Sequence, residues 1–194
     1  MSLIAMILNT IFGIVLVSLV ARFLAQMARA DFYNPLAQTV IKITDPFIKP
    51  MRKIIPSIAG MDTASLIAIL LGQLLLACLI VLLSRHNPIH FISELIVWSF
   101  IAVCSLILSV IKWSMIIVAI SSFILMGQHN PFVHFIAQMI EPFVGPFRRL
   151  NLQIGMLDLS FMVAFFVIYI IQDYILLGFV GQYTGYQPGI FFGG

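Results

Sequence analysis

Two charged side chains stand isolated in apolar surroundings: Lys112, in the run LSVIKWSMII, and Asp173, in YIIQDYILL. A charge at the middle of a bilayer costs at least ~2.5–3.5 kcal/mol on insertion scales, so each residue calls for a partner or a purpose. An ammonium and a carboxylate on neighbouring helices can satisfy one another as an interhelical ion pair. The competing expectation is that Lys112 snorkels beside an interfacial Trp113 while Asp173 reaches external water. His86 and His90 are four apart, but Pro88 between them disfavours the helix that would align both rings on a metal ion. Cys78 and Cys104 both lie in apolar runs and offer neither a disulfide framework nor a metal site. There is no Gly-x-Ser-x-Gly, phosphate-binding glycine loop, HExxH or GxGxxG, and no carboxylate pair placed for acid–base work. Neither an enzymatic activity nor a metal or other cofactor is expected.

The elements that must position these groups are membrane helices. Of 194 residues 62% are hydrophobic and 9% charged, and mean hydropathy is +1.13. An ordinary soluble domain is nearer ~25% charged. A soluble enzyme, a disordered chain and a disulfide-rich secreted module are thereby excluded. Residues 2–21 form an uncharged run long enough for the ~30 Å hydrocarbon slab at ~1.5 Å per residue. No basic segment precedes it, so a retained helix over about 3–21 is expected rather than a cleaved signal. Further spans are expected at about 63–84, 99–125 and 159–180. The third lies in an apolar run over 95–126, long for one untilted span and short for two, so a broken pair and a total of five spans stays open. Charge placement favours four. Arg22, Arg29, Lys42, Lys49, Arg52 and Lys53 follow the first span, and Arg148 and Arg149 follow the third, against Arg85 alone on the opposite side. The positive-inside rule then places segments 22–62 and 127–158 in the cytoplasm and both termini outside.

An internal repeat organises the chain. Residues 34–62, NPLAQTVIKITDPFIKPMRKIIPSIAGMD, align without a gap on residues 130–158, NPFVHFIAQMIEPFVGPFRRLNLQIGMLD, at a constant offset of 96. The matched positions include Asn34/Asn130, Pro35/Pro131, Pro46/Pro142, Pro50/Pro146, Arg52/Arg148, Lys53/Arg149 and Asp62/Asp158. The same offset carries the first span onto the third. An all-α membrane protein of about four transmembrane helices in two parallel repeats, 1–94 and 95–194, is expected.

Within each repeat the mechanics are readable. Asn34 and Asn130 suit N-caps, with Pro35 and Pro131 at the first helical position. Leu36, Val40 and Ile43 share one face of the following helix, and Phe132, Ile136 and Met139 repeat the pattern, as in an amphipathic helix lying in the membrane interface. Pro46 and Pro142 are expected to stop these helices, with Pro50 and Pro146 keeping the chain extended up to the basic pair. Asp62 and Asp158 are expected to cap spans two and four. Arg52–Lys53 and Arg148–Arg149 then lie at headgroup level, each charge worth about 1 kcal/mol against anionic lipid. They serve topology alone or dock lipid or a partner. Asn9 and Gln73 are expected as interhelical hydrogen-bond partners. The tail 181–194, with Tyr183, Tyr186, Phe191 and Phe192 among glycines, reads as a flexible aromatic interfacial end.

The pattern Asn-Pro, apolar stretch, Asp/Glu-Pro, Pro-x-Arg-Arg/Lys and closing Asp, present twice, resembles the YggT family of bacterial membrane proteins. Asp31-Phe32-Tyr33-Asn34-Pro35 and Ile54-Ile55-Pro56 are similar to that family's first repeat; Leu152 departs where a counterpart of Pro56 belongs. The resemblance covers nearly the whole chain and implies a multi-pass protein of the bacterial inner membrane. It implies an association with osmotic stress and cation uptake, or, from plastid relatives, with assembly on membrane cytochromes and with nucleoid or division organisation. The function expected from residues and resemblance together is that of a non-enzymatic accessory or scaffold protein, docking anionic phospholipid headgroups or a membrane complex at its cytoplasmic face. The alternative is a component of osmotic-stress-related cation transport. The bilayer, a membrane protein complex or a second copy are the expected partners, and no nucleic acid contact is expected.

Overall fold

A computed structural model describes residues 3–56, 62–124, 130–150, 153–154 and 157–193, without the side chains of 123, 153, 154 and 157–159. The apolar run at the start forms α1, Leu3–Met27. Having no breaker, it continues past the expected end at residue 21 and carries Arg22 inside the helix. After a turn at Arg29 (φ 51°), α2 runs Pro35–Arg52 and α3 Thr63–Leu83. A short 3-10 turn at Pro88–Phe91 leads into α4, Ile92–Ile124, which is one unbroken helix of 33 residues. The broken-pair alternative therefore falls. At ~1.5 Å per residue α4 is about 50 Å long and exceeds the hydrocarbon slab.

The second half repeats the plan with α5, Pro131–Arg148, and α6, Leu159–Tyr169, which continues as a π-helix over Ile170–Gly181. A two-residue antiparallel pairing of Gln153–Ile154 with Leu157–Asp158 precedes α6. Among the described residues four helices are long and apolar enough to cross a membrane: Leu3–Met27, Thr63–Leu83, Pro88–Ser122 and Ser160–Thr184. One core unites the halves, with Leu16, Leu19 and Leu24 of α1 in the same buried cluster as Ile69 of α3, Ile111 and Met115 of α4, and Val144 of α5.

The prolines do not end α2 and α5. Pro46 and Pro50 lie inside α2, and Pro142 and Pro146 inside α5. A proline removes one backbone donor, so each pair, spaced by four, leaves two carbonyls of one face without a helical bond. Burial on the other face keeps the helix going: Thr44 and Ile48 are fully buried in α2, as is Val144 in α5. Both helices begin as expected, with Asn34 Oδ1 accepting from Leu36 N–H and Asn130 Oδ1 from Phe132 N–H, each at 2.9 Å.

The tail is packed, not flexible. A 3-10 turn at Pro188–Ile190 sends it back among the helices, where Phe191 is buried and stacks on Tyr186 with ring centroids 5.6 Å apart. Phe192 lies against Gly13 of α1, where an added Cβ would collide with its ring. Two hydrogen bonds replace the water that the Phe192 backbone gives up, Gln73 Nε2 donating to its carbonyl at 2.8 Å and Gln73 Oε1 accepting from its N–H at 3.1 Å. Gln73 is the middle residue of α3, so the tail reaches the middle of the apolar layer. Asn9 Oδ1 is buried without a hydrogen-bond partner among the described residues.

Candidate functional site

Two charged clusters stand out, one at the end of the bundle that carries α2 and α5, the other within the spans. The first centres on Arg22, whose side chain is 8% exposed. Its Nη1 donates to Thr44 Oγ1 at 2.7 Å and to Asp45 Oδ1 at 2.9 Å, while its Nε lies 3.9 Å from Asp62 Oδ2. Asp62, 1% exposed, accepts from Arg52 Nη2 at 2.5 Å and from Ser65 Oγ at 2.7 Å, and caps α3 through Ser65 N–H. Burial pushes the Asp62 carboxyl up, but Arg52 and Ser65 outweigh it and hold the group below the ordinary aspartate value. Asp45 is likewise held low, first by Lys49 at 2.8 Å and then by Arg22. The cluster joins α1, α2 and the start of α3.

Among the described residues the second half does not repeat this arrangement. At the offset of 96, Arg22 corresponds to Val118 and Thr44 to Ile140. Glu141, the counterpart of Asp45, pairs instead with Arg148 of its own helix at 2.9 Å, both half exposed. The side chain of Asp158 lies outside the described residues, so its expected cap falls outside them too. Lys53 and Arg149 follow the last turns of α2 and α5 and are exposed.

Within the spans, Lys112 Nζ meets Asp173 Oδ2 at 2.8 Å, with side-chain exposures of 17% and 37%. The ammonium also stands 5.1 Å from the Tyr169 ring centroid, within cation–π range. Beside the pair, Gln172 is buried and its Nε2 donates to Ser105 Oγ at 3.1 Å and Ser109 Oγ at 2.6 Å. Ser105 Oγ in turn donates to the Gly193 carbonyl of the tail at 3.1 Å. Gln172 and Asp173 belong to the π-helix, an irregularity frequent at functional sites. The first half has Leu16 and Ala77 in place of Lys112 and Asp173, so the polar site belongs to the second half alone. His86 and His90 are exposed and apart from both clusters.

Three features escaped sequence reasoning. Arg22 directly follows an apolar run and reads as a first loop residue; only its i+23 partner reveals burial. Gln172 stands beside the more conspicuous Asp173. The tail's course depends on Gln73, whose partner is 119 residues away.

A family model described as CCB3/YggT matches residues 1–83 and again 97–179. Those two matches start 96 residues apart, the same offset as the repeat. The chain belongs to the CCB3/YggT family. An uncharacterized protein of Pseudomonas aeruginosa is 40% identical over 179 residues, covering 92% of this chain and 90% of that protein. The uncharacterized protein YggT of Escherichia coli K12 is 30% identical over 172 residues, 89% of this chain and 88% of its own. An uncharacterized protein of Vibrio alginolyticus is also 30% identical, over 165 residues, 85% of this chain and 89% of its own. No solved structure matches. The names of these three relatives assign no activity.

Proposed function

We propose that this CCB3/YggT protein is a non-enzymatic accessory protein of the bacterial inner membrane, whose α2 and α5 lie in the cytoplasmic interface and dock anionic headgroups or a membrane complex. The observation that carries the reading is the side-by-side placement of α2 and α5, joined by Asn34 Nδ2 donating to the Pro131 carbonyl at 2.6 Å, each ending in exposed basic residues. Arg52 and Arg148 are engaged with Asp62 and Glu141, so Lys53, Arg149 and the exposed Lys42 are the charges offered to a partner. Each contributes about 1 kcal/mol against an anionic surface. Charge reversal by Lys53→Glu and Arg149→Glu should lower the anionic phospholipid and protein partners recovered after in-cell crosslinking, with membrane insertion intact. Unchanged recovery would refute the reading.

A second reading, cation transport linked to osmotic stress, is favoured by the Lys112–Asp173 pair together with Gln172, whose Oε1 is buried without a partner among the described residues. Reconstituted vesicles test it directly. A cation flux above that of empty vesicles, abolished by Asp173→Asn, supports the reading, and no flux from the wild type dismisses it.

A further inference from the structure

A cavity of about 560 Å³ lies between the two repeats, walled by α1, α2, α4 and α5. Its lining follows the repeat. Val17 and Trp113, Leu36 and Phe132, and Ile43 and Met139 all line it, each pair separated by the offset of 96, and seven such pairs line the cavity in all. The symmetry fails at one end. Ser109 lines the wall, but its counterpart Gly13 is covered by Phe192, and Phe192 with Gly193 closes the cavity there.

Three observations identify an occupant. The first is length. The lining residues of α4 run from Leu106 to Ile117, about 16 Å at ~1.5 Å per residue, close to half of the ~30 Å hydrocarbon slab. The cavity therefore extends through one leaflet, from the midplane at Phe192 to the level of α2 and α5. The second is chemistry. Three of the lining hydroxyls are already occupied: Ser18 donates to the Ile14 carbonyl at 2.7 Å, Thr39 to the Pro35 carbonyl at 3.0 Å, and Ser109 accepts from Gln172 at 2.6 Å. A polar ligand finds little to bind, and an apolar cavity does not hold water. The third is capacity. At ~30 Å³ for a water-sized group the cavity accommodates roughly 19 such groups, the bulk of one fatty chain. Val17, Thr39 and Trp113 are exposed, so the cavity opens to the surrounding lipid.

We infer that this cavity binds one acyl chain of a membrane phospholipid, taken from the leaflet on the α2/α5 side, with the chain end against Phe192. The binding is independent of headgroup docking by Lys53 and Arg149. A phospholipid carrying a photoreactive diazirine at the end of its acyl chain, reconstituted with the full chain and irradiated, tests it. Adducts are expected on Ser109 and Phe192, which line the closed end of the cavity and are only partly exposed. Overpacking the cavity by Ala21→Phe or, at its exposed rim, Thr39→Phe should lower those adducts about tenfold, as ~1.4 kcal/mol of steric conflict does. The Thr39→Phe variant should remain monodisperse and helical. Lys53→Glu with Arg149→Glu should leave the adducts unchanged, which separates this inference from the headgroup reading. Adducts confined to outward-facing Ile14 and Ile120, or equal labelling in a folded Thr39→Phe variant, would each overturn it.

Discussion

Gln73 holds both backbone polar groups of Phe192, donating to the carbonyl at 2.8 Å and accepting from the N–H at 3.1 Å. A side-chain amide thus does what a neighbouring strand would do, at a depth where water is absent. Replacing it by Gln73→Leu leaves two buried groups without partners, at about 1–3 kcal/mol each. The tail should then detach. In a background with Cys78 and Cys104 changed to alanine, maleimide labelling of a Phe191→Cys probe should be slow with Gln73 present and fast with leucine. Gly13→Leu should produce the same release by filling the space of the Phe192 ring.

Lys112 and Asp173 should be energetically coupled. Each single change to leucine leaves the other charge stranded, whereas the double change removes both. A double-mutant cycle on unfolding in detergent should give a coupling of about 1–2 kcal/mol, reduced from a fully buried pair by the exposure of Asp173. Additive losses would show that the two charges act separately.

Arg22→Val installs the residue that the second half carries at the matching position. Two hydrogen bonds from a charged donor are lost, to Thr44 and Asp45, but Asp62 keeps Arg52 and Asp45 keeps Lys49. No carboxylate is stranded, so the expected cost is about 2–3 kcal/mol, less than the ~3–5 kcal/mol of a broken buried pair. Thermal unfolding in detergent measures it.

Acid should loosen the same joint. Both Asp45 and Asp62 are held below the ordinary aspartate value in the folded protein. Their contribution is complete above that value and is lost as the pH falls through it toward the lower folded value. The unfolding midpoint should therefore drop as the pH falls below about 5. Asp45→Asn with Asp62→Asn should flatten that drop, because neither side chain then takes up a proton.

The fold was legible in the sequence because its governing signals are local or periodic. Uninterrupted apolar runs gave the four long helices, and Asn34-Pro35 and Asn130-Pro131 gave the starts of α2 and α5. The helix ends were misjudged because a proline's local cost is fixed, whereas the compensation from buried Thr44, Ile48 and Val144 is tertiary. The tail was misread for a related reason: glycines and aromatics suit an interfacial end and a packed one equally. Lys112 and Asp173 could be paired from their depths along two helices of known direction. Arg22 could not be, since Asp45 is on a helix whose rotation no spacing rule specifies.

Phe192 against Gly13 fixes the order in which the molecule can be completed. Gly13 is synthesised before α2 to α6 and Phe192 after them, so the hollow beside α1 stays vacant while those helices are being made. Closure is necessarily a late event that follows insertion of the helices, and it must carry an aromatic segment back into lipid that is already filled with neighbours. During that interval the hollow is open to acyl chains.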